Sequence, residues 1–430
     1  MAKKTNGLFN RRNAVIAGAA AVGGGVLALR ESDQSGPRDP YFEGLQNALK
    51  AAEIGTPTLI IDKARLDANI DTMMRAFPQD MAFRIVAKSL PSLDLISHIR
   101  ARTGTDRIMT FNLSMLEELS LGMADASQLL GKPLPINAAK AYLQSGKYTA
   151  QARSNVQWLI DDNGRLADYI AVANTSGQPI RVNIELDVGL HRGGIAPGEG
   201  LTAMLTTLRV DPNVTFSGFM GYEPHVSGIA SEAGKQKELN KAWGIYKDAL
   251  SAAREVLGSG ALENATLNAA GSPTFKYYTD TSIANELAVG TALVKPNHYD
   301  SEILSDFVPS SFIASPVIKS FDETRMPGAP AWRNTLRRFM NPNLDNTIFV
   351  YGGNWMADPV DPVGIGYDPA SPPSSNQEML VGGTHIDLKR NDWVFYRPHQ
   401  SEAVFLQFGD IAVFEDGKIM DYWPVFPATA

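Results

Sequence analysis

Apolar residues along this chain fall into short runs, each followed by a stretch with helical spacing. Thr58-Leu59-Ile60-Ile61 is rich in β-formers, and Asp62 is placed to cap a helix in which Leu66, Ile70 and Met73 recur. Phe83-Arg84-Ile85-Val86 is a short apolar run of the kind found in buried parallel strands. The same alternation continues along the chain. Arg107-Ile108-Met109-Thr110 precedes a helix with Leu116, Leu119 and Leu121, and Gln128-Leu129-Leu130 precedes a helix over about 138–144. Val156-Gln157-Trp158-Leu159-Ile160 precedes a helix over 165–173. Runs at 180–187 and 214–221 follow, then a long helix over 231–257, then runs at 265–268 and 286–289. Counted from the Phe83 run, these make about eight βα units, the number that closes a parallel barrel. An open doubly wound sheet is the alternative, but no G-x-G-x-x-G follows an early strand.

The pattern changes after about residue 300. Proline and glycine become dense, and short runs at 347–350, 393–396 and 404–406 read as antiparallel strands. Residues 358–377, rich in Pro, Asp and Ser, read as a long loop. The predicted fold is therefore α/β, a (β/α)8 TIM barrel followed by a C-terminal antiparallel β domain. The boundaries expected are 1–40 for a signal segment and linker, 41–304 for the barrel and 305–430 for the β domain.

Composition narrows the function. A hydrophobic share of 44% with 20% charged residues is ordinary for a globular chain. The net charge of −7 argues against a nucleic-acid partner. The absence of cysteine excludes disulfides, thiolate metal ligands and a cysteine nucleophile. At the amino terminus Lys3, Lys4, Arg11 and Arg12 precede an uncharged run from Ala14 to Leu29, the layout of an export signal. Asn10-Arg11-Arg12-Asn13 resembles a twin-arginine leader, which predicts a periplasmic protein handled by the twin-arginine export machinery. No A-x-A site follows the run, which leaves an uncleaved membrane anchor open.

Candidate chemistry sits where the runs end. A lysine at the carboxyl end of a barrel strand, here Lys88, points into the mouth, where desolvation disfavours the ammonium form. A neutral amine there can form a Schiff base with a carbonyl cofactor. Arg192, in Asp187-Val188-Gly189-Leu190-His191-Arg192-Gly193-Gly194, is a candidate fixed cation. His225, in Gly221-Tyr222-Glu223-Pro224-His225, can stack on a ring or move a proton. Gly271-Ser272-Pro273-Thr274 and Gly290-Thr291 are candidate anion nests of backbone N–H groups. A lysine on the first strand and two nests on the last suit a phosphorylated aldehyde, which describes pyridoxal 5′-phosphate.

In this ordered set the chain resembles the fold-type III pyridoxal-phosphate enzymes, the alanine racemase-like barrels, and within them the D-serine dehydratase and D-threonine aldolase branch. The matching pieces are Thr56-Pro57, the Lys88 strand, Asp187-x-Gly189-x-x-Arg192-x-Gly194, His225, Gly271-Ser272-Pro273-Thr274 and Glu286-Leu287-x-x-Gly290. The resemblance implies that Lys88 carries the cofactor and acts as a base. It implies that Arg192 meets the cofactor's phenolic oxygen, that His225 packs on its ring, and that Gly271, Ser272, Gly290 and Thr291 hold its phosphate. It also implies a homodimer in which the β domain of one subunit covers the barrel of the other. In the racemases an arginine near the last glycine motif meets the pyridine nitrogen, whereas here Ala288 stands near that position.

One departure concerns metal. The lyase branch carries a His followed two residues later by Cys or Asp near the carboxyl end, and the corresponding segment here is Asp421-Tyr422-Trp423-Pro424-Val425-Phe426-Pro427. Neither Trp423, Val425 nor Phe426 suits a divalent cation, so no metal is expected. His399, in Pro398-His399-Gln400-Ser401-Glu402, is the remaining candidate for polarising a substrate and is taken as a catalytic candidate with Lys88 and His225. The expected activity is a lyase, aldolase or dehydratase, on a β-hydroxy D-amino acid. A racemase is the alternative, and a non-catalytic pyridoxal-phosphate-binding protein is a third reading.

Overall fold

The structure is a computed structural model that describes residues 30–428. The expected leader, with Arg11, Arg12 and the run 14–29, lies outside the described residues. Among the described residues no helix is long and apolar enough to cross a membrane. The described residues group into two units: 58–312 with 397–428, and 30–57 with 313–396. The stretch from 397 onward, read from sequence with the β domain, thus groups with the barrel.

In the barrel unit the strands are β1 (Thr58–Asp62), β2 (Ala82–Val86), β3 (Arg107–Thr110), β4 (Ser127–Leu130), β5 (Val156–Ile160), β6 (Ile180–Leu186), β7 (Val214–Gly221), β8 (Thr266–Ala269) and β9 (Glu286–Val289). Strands β2 to β9 close the eight-stranded parallel barrel. Closure runs through β2, where Ile85 stands opposite Ile108 on one side and Val289 on the other. The helices between strands start at side-chain caps. Asp62 accepts the Arg65 N–H, Asn112 that of Met115, Asp162 that of Arg165, and Ser231 that of Gly234. Each cap satisfies an N–H that the first helical turn leaves unpaired. The β6–β7 register shifts beside Gly218, whose φ of +142° and close approach to the Thr266 carbonyl exclude a side chain. Strand β1 stands outside the barrel. It pairs in parallel with Ile411–Glu415, which pairs antiparallel with Lys418–Trp423.

Arg84 and Glu286, both fully buried, form an ion pair inside the barrel with N···O distances of 2.5 and 2.9 Å. Arg107 reaches the same carboxylate at 2.7 Å, and Asn268 donates to it at 2.8 Å. Burial pushes Glu286 up, and the two guanidinium groups more than offset that, so it lies below the ordinary carboxylate range.

The second unit is an antiparallel sheet. Its strands are β10 (Ser311–Phe321), β11 (Asn346–Tyr351), β12 (Ala357–Asp361), β13 (Gly366–Tyr367), β14 (Gln377–Gly382) and β15 (Trp393–Pro398). β10 pairs with β15 and β11, and β14 lies between β11 and β13. Two sequence expectations fail in detail. Residues 358–377 are not a bare loop but contain β12 and β13. Asp361 hid the first of these, because its buried carboxylate is matched by Arg38 Nε at 2.6 Å. Residues 404–406 are not a strand. Val404 closes the helix Ser401–Val404, and Phe405 opens a 3-10 turn, both buried completely.

Candidate active site

Strand β2 ends at Val86, and a 3-10 turn, Ala87–Ser89, carries Lys88 at its carboxyl end. This is the end of a parallel barrel where side chains from several strands converge. A cavity of about 580 Å³ opens there, lined by Lys88, Arg192, Tyr222, Gly271, Ser272, Gly290, Thr291, Tyr299 and Glu402 among others. Six of the eight sequence-predicted site residues therefore share one cavity: Lys88, Arg192, Gly271, Ser272, Gly290 and Thr291.

Lys88 Nζ lies 3.0 Å from Glu402 Oε1 and 5.1 Å from the centre of the Phe111 ring. Ser401 Oγ donates to the other Glu402 oxygen at 3.0 Å. Burial pushes the Glu402 carboxyl up, and Lys88, a backbone hydrogen bond and the Ser401 hydroxyl together more than offset it, leaving the group below the ordinary carboxylate range. The Arg192 guanidinium stands 5.3 Å from the centre of the Tyr222 ring.

The two nests face this lysine. Ser89 and Thr291 share a hydroxyl hydrogen bond of 2.8 Å, which ties the lysine turn to the end of β9. Ser272 Oγ accepts the Ala292 N–H at 2.9 Å, tying the end of β8 to the same place. Both glycines are required by space. A Cβ on Gly271 would lie 2.5 Å from Tyr222 Cε2, and one on Gly290 would lie 2.7 Å from Val86 Cβ and 2.9 Å from the Val86 oxygen. An amine, a fixed cation and a backbone cradle with hydroxyls in one concave space fit pyridoxal phosphate.

His225 and His399 are not among the residues that line the cavity. Strand β7 ends at Gly221, Tyr222 lines the cavity, and His225 follows in the 3-10 turn Pro224–Gly228 with both ring nitrogens buried. Its Nε2 is 3.7 Å from Glu238 and would meet a side chain on Gly189 at 3.2 Å. His399 stacks on His298 with ring centres 4.7 Å apart. Tyr222, Tyr299, Asn268 and Glu402 are among the cavity residues that sequence reasoning did not assign to the site.

The carboxyl-terminal segment packs on the helix after β2. Trp423 lies 5.8 Å from the His98 ring, and the Phe426 N–H donates to the Pro91 oxygen at 2.8 Å. Among the described residues no three His, Cys, Asp or Glu side chains are grouped as a metal set.

A protein-family model described as "Alanine racemase, N-terminal domain" matches residues 61–298. The chain is 24% identical over 265 residues to a 3-hydroxy-D-aspartate aldolase of Paracoccus denitrificans (strain Pd 1222). That alignment covers 61% of this chain and 66% of the relative, just under two thirds of its length. A D-threonine aldolase from Filomicrobium marinum superposes with a TM-score of 0.67 at 18% identity, covering 86% of this chain and 96% of the other. The D-threo-3-hydroxyaspartate dehydratase from Delftia sp. HT23 superposes with a TM-score of 0.65 at 16% identity, covering 87% and 98%. At these identities the two superpositions show a shared fold.

Proposed function

The chain belongs to the alanine racemase N-terminal domain family of fold-type III pyridoxal-phosphate enzymes, and from that premise we propose that it is a pyridoxal-phosphate enzyme acting on D-amino acids, a lyase on a β-hydroxy D-amino acid. The observation that carries this reading is the single cavity that holds the Lys88 amine, the Arg192 cation and the cradle of Gly271, Ser272, Gly290 and Thr291. When bound, the cofactor supplies an electron sink for the bonds at the substrate's α-carbon.

The protein's own groups supply the rest. Lys88 holds the cofactor and moves a proton at the substrate's α-carbon or β-hydroxyl. Glu402, at 3.0 Å, fixes the Lys88 amine in the mouth and takes up or returns a proton at Nζ. The cradle would hold the phosphate through backbone N–H groups and the Ser272 and Thr291 hydroxyls, and Arg192 would stand as a fixed cation against the cofactor's phenolic oxygen.

The lyase reading is supported by the printed activities of the relatives, an aldolase and a dehydratase on β-hydroxy D-amino acids. Amino-acid racemisation is the second reading, and Tyr299 favours it. A racemase needs a proton donor on each face of the substrate, and the Tyr299 phenol lines the same cavity as Lys88. Two measurements test the proposal together. Borohydride treatment of the cofactor-loaded protein should fix the label on the Lys88 peptide, and a label on Lys295 instead would remove the reading. Chiral product analysis with D-threonine, D-serine, D-3-hydroxyaspartate and both alanines should give aldehyde or keto-acid products. Scrambled alanine with no cleavage or elimination would replace the lyase by the racemase, and no turnover of any substrate would leave a binding protein.

A further inference from the structure

The helix Ala331–Met340 packs the reverse of an ordinary amphipathic helix. Its buried member is Asn334, whose side-chain oxygen accepts the Met326 N–H at 3.1 Å. Arg337 is tied to Asp368 at 2.9 Å, and Arg338 to Asp345 at 3.1 Å. Polar contacts therefore hold the helix to its unit. Trp332, Leu336 and Phe339, at helical spacing, face outward and are 67%, 50% and 46% exposed. A stripe of three large apolar side chains is the feature that normally buys burial, and this unit leaves it uncovered.

The chain that leads to the leader runs beside this stripe. The Gln34 N–H donates to Asn343 at 2.8 Å, Asn343 donates to the Ser32 oxygen at 2.9 Å, and the Glu31 N–H donates to the Met340 oxygen at 2.9 Å. The Arg30 guanidinium then stands 5.3 Å from the centre of the Phe339 ring. From residue 34 back to 30 the chain runs alongside residues 343 back to 339, so Arg30, the first described residue, stands at the apolar stripe. The 29 residues before Arg30 end in the uncharged run Ala14–Leu29.

We propose that this face is a membrane-surface contact, in which Trp332, Leu336 and Phe339 enter the headgroup boundary of a phospholipid bilayer while Arg30 and Arg333 meet its phosphates. The helix carries three arginines and no acid, with Trp, Leu and Phe on one side, which is the composition of interfacial helices. Arg333 is exposed, and the Arg30 guanidinium stands beside Phe339 of the stripe, where a long basic side chain can keep its stem in an apolar layer and its head in water. In sequence the uncharged run 14–29 directly precedes Arg30, and Arg30 stands at this stripe.

The test uses the full chain with its leader and vesicles of phosphatidylcholine and phosphatidylglycerol. Brominated acyl chains should quench the Trp332 contribution to fluorescence, read as the difference between the wild type and Trp332→Phe. Leu336→Ser with Phe339→Ser should weaken vesicle partition about tenfold at unchanged melting temperature. Lipid-independent fluorescence with a change in molecular mass in the double variant would overturn the proposal in favour of a second copy on this face. A Trp332 already shielded without lipid, and unshielded when the leader is removed by protease, would overturn it in favour of the leader itself.

Discussion

Glu223 gives the sharpest test of the barrel-mouth geometry. It follows Tyr222 at the end of β7, is 1% exposed, and accepts the Thr274 hydroxyl at 2.6 Å. Burial pushes its carboxyl up, and hydrogen bonds from Thr274 and Tyr278 only partly offset this, so it titrates at about 7 rather than its ordinary 4.5. A carboxyl raised in the folded state binds its proton more tightly there than in the unfolded chain. Its contribution to stability is therefore complete below about pH 4.5 and is lost as pH rises through about 7. Holding the group neutral over that interval is worth about 3 kcal/mol, at 1.36 kcal/mol per pH unit. Glu223→Gln keeps an oxygen for Thr274 and cannot ionise. Urea denaturation from pH 4.5 to 8 should show the two proteins equally stable at the acid end and the variant about 3 kcal/mol more stable above pH 7. Glu286 and Glu402 titrate in the opposite sense, below the ordinary range, and are common to both proteins. Their contribution cancels in the difference. Parallel stability curves for wild type and variant would refute the reasoning. The Thr274 hydroxyl that donates to Glu223 also accepts the Gly271 N–H at 3.2 Å, so the same titration should weaken phosphate binding in the wild type alone.

Two further outcomes are expected. Glu286→Gln leaves Arg84, fully buried, with no full counter-charge, and should cost about 3–5 kcal/mol in denaturant melts. Adding Arg84→Met should recover much of that loss, and a double variant no better than the single one would show that the ion pair is not the cause. Chelators should leave activity unchanged, because Trp423 and Phe426 are committed to packing against His98 and Pro91. Activity that collapses with a chelator and returns with a divalent ion would mean that a metal is held by a different set of residues.

Much of the barrel was legible because each of its strands is a separate local signal. The run at 214–221 coincides with β7, and the run at 286–289 with β9. Asp62 caps the helix it was placed to cap. The cradle glycines were legible because space at a strand end permits nothing larger. The second unit was harder to read, because there polarity and burial part company. β12 carries a buried Asp361 that only Arg38 makes tolerable, and the helix 331–340 turns its apolar side outward. A periodicity argument assumes that apolar means inside, and both elements break that assumption.

The site shows the same limit at closer range. Sequence order placed His225 at a strand end correctly but could not say which residue of Tyr222-Glu223-Pro224-His225 faces the mouth. Pro224, with its fixed φ and missing N–H, opens the 3-10 turn that follows, so that Tyr222 lines the cavity and His225 does not. Glu402 is a second case. It lies 314 positions from Lys88 in sequence, on a helix of four residues, Ser401–Val404, just before the run 404–406 that reads as a strand. Nothing local marks it as an acid for the barrel mouth. The complete burial of Val404 and Phe405 anchors the short helix Ser401–Val404, from which the Glu402 carboxylate reaches Lys88 at 3.0 Å. An apolar pair that reads as a strand can thus carry the counter-charge of the key lysine, and it does so by packing rather than by any motif.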